Sequence, residues 1–224
     1  MQIENYPNYP SRRSPVIAQN MVAASQPLAA QAGLRMLMRG GNAVDAALAT
    51  AITLTLVEPT GCGLGSDAYA IIWDGQSLHG LNSSGRSPAS WTESRFSNLK
   101  KMPYRGWESV TVPGVVAGWV SLSDKFGKLP FHELFEPAVG YAESGFAVSP
   151  IIARQWSLGA AELSDQPGFA DNFLPNGAPP ASGEIYKNSG FARSLKLIAE
   201  TKGEAFYSGV LAEKIDAYAK KHNA

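Results

Sequence analysis

The sequence predicts an α+β fold in which helices outnumber strands. Two observations carry that reading. About seven stretches repeat apolar residues at helical spacing between capping residues. Against them stands a lone strand-turn-strand pattern, the run Ala68-Tyr69-Ala70-Ile71-Ile72-Trp73 followed by Asp74-Gly75 and a return from Ser77 to Leu81.

After an entry segment bearing Pro7, Pro10, Arg12, Arg13 and Pro15, Ser25 stands where an N-cap belongs, with Pro27 in the first turn, and a helix follows to about Arg39. Gly40-Gly41 stops it. Asn42 then caps a second helix through Asp45 and Ala46 towards Val57, whose alanines on nearly all sides imply close packing against neighbours. Glu58-Pro59 ends that helix, and Thr60-Gly61-Cys62-Gly63-Leu64-Gly65 turns the chain into the hairpin. The return strand delivers Asn82 to Ala89 as a polar loop at the sheet end, where binding groups tend to sit. Helices are then expected over 113–126, 131–144, 149–161, 189–200 and 203–220, with the longest loop at 166–183. A lone hairpin exposes two edges and cannot cover its own faces, so further sheet must come from elsewhere.

Composition removes whole classes of function. Apolar residues make up 45% and charged residues 17% of the 224, below the usual charged share of about 25%, so the chain is not a solvated tail. Lys plus Arg and Asp plus Glu are both 19, leaving no net field to hold a polyphosphate backbone or an anionic membrane. The start from Met1 to Pro7 lacks a cationic segment followed by an apolar run, so the expectation is a cytoplasmic protein. The run from Ala43 to Val57 is too short for a span of about 20 residues and carries Asp45, so it reads as a core helix.

Catalytic motifs are scarce. In the Gly61 to Gly65 turn, Ser66 stands where a dinucleotide fingerprint needs its third glycine, and the turn leads from helix to strand, the reverse of the required order. There is no Walker lysine, no Gly-x-Ser-x-Gly elbow and no pair of histidines at zinc-helix spacing, so neither a cofactor nor a metal is expected. Cys62 is the single cysteine, which excludes an internal disulfide; it reads as a small packing residue. What stands out is Arg86, a guanidinium among hydroxyls and an amide with no acidic residue nearer in sequence than Asp74 and Glu93. Such an arginine suits bidentate capture of a carboxylate, with Ser84 and Asn82 as hydrogen-bonding neighbours. It equally suits a brace that pairs with a distant acid or with backbone carbonyls, and the residues leave both readings open.

The segment Gly40-Gly41-Asn42-Ala43-Val44-Asp45-Ala46-Ala47, then Glu58-Pro59, Gly63-Leu64-Gly65 and Ser87-Pro88-Ala89, resembles the gamma-glutamyltransferase family. So do Val112 to Gly118, Phe126-Gly127 with Leu129-Pro130, Pro137-Ala138, Glu143 to Phe146 and Phe206 to Gly209, in the family's order from about residue 17 onward. The resemblance implies an N-terminal-nucleophile hydrolase with a four-layer αββα sandwich. A precursor of this kind cuts itself ahead of a Thr, which then attacks an amide with its own α-amino group as base. On that reading residues 1–224 form a single domain fragment, the front part of a large subunit. The catalytic partner is a small subunit with an N-terminal Thr, and this chain alone is inactive.

In the gamma-glutamyl enzymes an Arg just ahead of an Ala-Pro-Ala element grips the substrate α-carboxylate; the matching position is Ser84, and Arg86 lies two residues later. That form resembles a subgroup including oxamate amidohydrolase. The implied activity is therefore hydrolysis of a small amide bearing a carboxylate, such as oxamate. A gamma-glutamyltransferase, glutathione hydrolase or cephalosporin-acylase-like enzyme is the alternative, and a non-catalytic scaffold or binding subunit is the rival from another class.

Overall fold

A computed structural model describes residues 15–224; the Met1 to Pro7 start and the prolines and arginines of the entry segment up to Arg13 lie outside the described residues. Helix α1 (Pro27–Met38) begins one residue later than Ser25 allows. The cap is Gln26, whose side-chain oxygen accepts the N–H groups of Leu28 and Ala29, while the Ser25 hydroxyl donates to Glu58 at 2.5 Å. Helix α2 (Ala43–Val57) runs as expected, capped by Asn42 in a reciprocal box with Asp45. It is buried on nearly every side, as its alanines imply.

The hairpin pairs β1 (Ala68–Trp73) with β2 (Leu78–Ser83) antiparallel, from Ala68 opposite Ser83 to Trp73 opposite Leu78. The return strand therefore extends two residues past Leu81 and takes in Asn82 and Ser83, both expected in the loop. Alternation sorts the two faces. Ala68, Ala70, Ile72 and Leu81 pack onto the core, whereas Tyr69, Ile71, Trp73 and Leu78 are 68%, 80%, 64% and 67% exposed. Among the described residues nothing covers that outer face, and the hairpin remains two-stranded.

A short helix α3 (Glu93–Phe96) and a 3-10 turn (Trp107–Ser109) break up the long connection to α4 (Val115–Phe126). The stretch 131–144 is not one helix. A 3-10 turn (Phe131–Phe135) precedes α5 (Glu136–Ser144), because Pro137 has no N–H to give a preceding turn and is accommodated only in a first turn. A second pair, β3 (Phe146–Ala147) with β4 (Ile185–Tyr186), flanks α6 (Pro150–Leu163) and α7 (Phe169–Phe173), the latter inside the expected long loop. Helix α8 (Ser189–Glu200) has the expected bounds, and the last expected helix is split at Ser208-Gly209 into α9 (Glu204–Tyr207) and α10 (Val210–Lys221).

Two apolar clusters hold these elements. The larger joins α2, α4, the 131–135 turn and α8 through Ile52, Trp119, Phe135, Leu195 and Ile198, all nearly inaccessible. The smaller gathers Leu56, Phe146, Ile152 and Trp156 about Tyr186, where the Trp156 indole N–H also donates to the Phe173 carbonyl at 2.8 Å. No helix of the described residues is long and apolar enough to cross a membrane.

Candidate functional site

The register of the hairpin brings the start of β1 and the end of β2 together, and three segments meet there: 61–67, 82–89 and 110–118. Asp67 is the hub. One carboxylate oxygen accepts the Gly85 N–H at 3.0 Å and the other the Ser84 hydroxyl at 3.3 Å, while the Asn82 side-chain oxygen accepts the Ser84 N–H at 2.9 Å. The third segment clamps the loop from behind. The Val112 N–H donates to the Arg86 carbonyl at 2.9 Å, the Ser83 hydroxyl donates to the Gly114 carbonyl at 2.7 Å, and the Val115 N–H donates to the Ser66 carbonyl at 2.9 Å.

Two of these approaches leave no room for a side chain. A β-carbon on Gly85 would fall 1.5 Å from the Val112 carbonyl oxygen, and one on Gly114 would fall 2.0 Å from that of Ser83. The 110–118 segment is itself anchored by Tyr207, whose hydroxyl donates to the Pro113 carbonyl and accepts the Ala117 N–H, each at 2.9 Å. Burial pushes the Tyr207 phenol above its ordinary pKa, the Ala117 N–H opposing this. It therefore stays a neutral donor through the physiological range.

Arg86 has its backbone fixed and its side chain unengaged. It is exposed, and among the described residues its guanidinium makes no hydrogen bond and no ion pair. Ser84 and Asn82 are brought to the same turn, yet their recorded hydrogen bonds serve the loop itself and not Arg86. Sequence reasoning missed Asp67. The signal was available, since extending the hairpin register by one residue past Ala68 and Ser83 sets Asp67 opposite Ser84.

Other reactive groups are not assembled for chemistry. Cys62 is half-buried, and burial, with the nearby Glu58 charge second, raises its thiol pKa, the opposite of an activated thiolate. Asp74, Ser77 and His79 cluster at the hairpin turn, with His79 Nε2 2.7 Å from Asp74 and 3.1 Å from Ser77. Both partners use the same ring nitrogen. A relay needs the hydroxyl on one nitrogen and the carboxylate on the other, so this cluster is a turn clasp. Among the described residues no three His, Cys, Asp or Glu side chains converge as metal ligands.

The family model described as Gamma-glutamyltranspeptidase matches residues 29–224. A glutathione hydrolase-like YwrD proenzyme of Bacillus subtilis is 35% identical over 95% of the chain and 41% of its own length. An acylase ACY 1 proenzyme of a Pseudomonas species is 36% identical over 90% of the chain and 38% of its length. The crystal structure of a cephalosporin acylase from Bacillus halodurans superposes with a TM-score of 0.92 and 46% identity, over 99% of this chain and 43% of that one. The chain thus spans about two fifths of the length of each of these three relatives. The expected affinity with oxamate amidohydrolase is present but not specific, because that proenzyme of Klebsiella pneumoniae is 32% identical, below the glutathione hydrolase-like and acylase relatives. In fold, the chain is a mostly helical piece of the N-terminal-nucleophile hydrolase architecture with two small hairpins.

Proposed function

The chain belongs to the gamma-glutamyltranspeptidase family, and from that premise we propose that it is the large-subunit portion of a self-processed amide hydrolase acting on a carboxylate-bearing substrate. An acylase-like or glutathione hydrolase-like amide replaces oxamate as the favoured substrate, since relatives bearing those names are the more similar ones. The single observation behind the substrate reading is Arg86, an exposed cation with no partner among the described residues on a loop tied down by Asp67 and Val112. A rigid backbone holding a free planar guanidinium suits two parallel N–H bonds to one carboxylate.

The chemistry falls to a Thr supplied by a second segment. Its α-amino group takes the hydroxyl proton as the oxygen attacks the amide carbonyl, then passes it to the amide nitrogen as the C–N bond breaks, so that the substrate's own amine leaves and the acyl group stays on the Thr oxygen. Water then releases the acyl group from the Thr. In this division of labour Arg86 binds and orients while the partner performs the bond changes. The bare outer face of the hairpin, Tyr69, Ile71, Trp73 and Leu78, is where the remaining sheet would seat.

Expressing the chain within a precursor that carries the proposed Thr-bearing segment tests this. Self-cleavage ahead of a Thr, followed by turnover of glutaryl or γ-glutamyl amides above oxamate, is the expected outcome. Failure to cleave or to hydrolyse any of the three supports a scaffold subunit instead.

A further inference from the structure

Beside the Arg86 loop lies a cleft of about 520 Å³, within the size range of small-molecule sites. Its walls include Leu64, Trp107, Val110, Pro113, Phe206 and Tyr218. Two of these walls are continuous with the Arg86 loop. Leu64 leads through Ser66, which accepts the Val115 N–H, to Asp67, which holds Ser84 and Gly85. Val110 and Pro113 flank Val112, whose N–H is bonded to the Arg86 carbonyl, so the cleft wall begins within about 7 Å of chain from that bond.

The lining is apolar and its one charged side chain is already satisfied. Arg105 pairs with Glu162 at 2.6 Å and lies 4.4 Å over the Tyr104 ring, so it offers no second anchor for an anion. On the far wall, α10 has no buried residue, leaving Ile215 and Tyr218 facing the space, with the Trp107 and Tyr218 rings 6.0 Å apart. A polar amide of oxamate size would leave most of this surface wet. A ring-sized apolar group would cover it.

We infer that this cleft receives the apolar, ring-sized portion of a ligand whose carboxylate is held by Arg86; the inference rests on the reading of Arg86 as carboxylate anchor. The ligand class is an aryl- or alkyl-substituted carboxylate, with charge at the loop and the hydrophobic group between the 104–113 segment and α10.

Binding of butyrate, 4-phenylbutyrate and 4-phenylbutanol to the full chain, measured by calorimetry, separates the two parts. The expected result is 4-phenylbutyrate bound about tenfold more tightly than butyrate. Val110→Gln and Ile215→Gln, at positions 41% and 40% exposed and so removable without opening the core, each bring that ratio to about threefold or less. Arg86→Ala weakens both carboxylates together while 4-phenylbutanol still binds. A ratio near one in the parent, or a ratio that survives both cleft variants, overturns the inference. If the cleft variants abolish the ratio but Arg86→Ala changes neither carboxylate, the anchor reading fails and the cleft stands as an apolar ligand site.

Discussion

Asp45 holds the backbone of Lys128 across more than eighty residues of sequence: its two carboxylate oxygens accept the Lys128 N–H at 3.0 and 3.1 Å. One of them also accepts the N–H groups of Asn42 and Leu129, at 2.8 and 3.3 Å. The Asn42 amide completes the clasp by donating to the Phe126 carbonyl at 2.6 Å. Helix α2 is thereby locked to the end of α4, whose other end carries the clamp behind the Arg86 loop. Asp45 is 0% exposed, so water cannot replace it as acceptor without rearrangement.

Asp45→Ala is expected to lower stability by about 3 kcal/mol or more, because several buried N–H donors lose their acceptor at once. Denaturant midpoints measure this. A loss below about 0.5 kcal/mol would mean the clasp contributes nothing net.

Gly114→Ala should destabilise the chain by about 2 kcal/mol and displace the Arg86 loop, since its β-carbon would lie 2.0 Å from the Ser83 carbonyl oxygen. Gly80→Ala is the matched control, with nothing within 4 Å of the added carbon. Amide exchange at Val112, bonded to the Arg86 carbonyl, reports the loop directly. Equal protection in both variants would show that the close approach relaxes without disturbing the loop.

The turn clasp carries a pH dependence. The Ser77 N–H first, then the His79 ring and the Gln76 N–H, hold the Asp74 carboxyl well below the usual carboxylate range. A lowered folded-state pKa means the contribution is fully present above the unfolded value of about 4 and is lost as pH falls through the folded one. The gap in stability between the parent and Asp74→Ala should therefore hold constant from about pH 5 to pH 4 and narrow only in stronger acid. A gap that stays unchanged as pH falls from about 4 to about 2 would contradict the assigned shift.

Much of the scaffold was legible because the relevant physics is local. The Asn42 cap, the alanine-rich run to Val57 and the Glu58-Pro59 stop define α2 without reference to anything distant. Arg86 stood out for the same reason, having no acid close in sequence. Asp67 did not, because its importance depends on strand register, which places it opposite Ser84 only after the hairpin has paired. The C-terminal end of β2 was missed because Asn82 and Ser83 are polar and loop-like in composition, yet they pair with Tyr69 and Ala68. The cleft was invisible, since Leu64, Val110 and Ile215 are brought together only by tertiary packing.

The central claim concerns one guanidinium. In the complete, self-processed enzyme, kcat/KM for its preferred carboxylate-bearing amide should fall at least about tenfold with Arg86→Ala, while self-cleavage proceeds. Arg86→Lys should restore only part of the loss, because an ammonium cannot present the planar fork that matches a carboxylate. If both variants turn the amide over as the parent does, Arg86 is a loop brace and the substrate carboxylate is held by the other subunit.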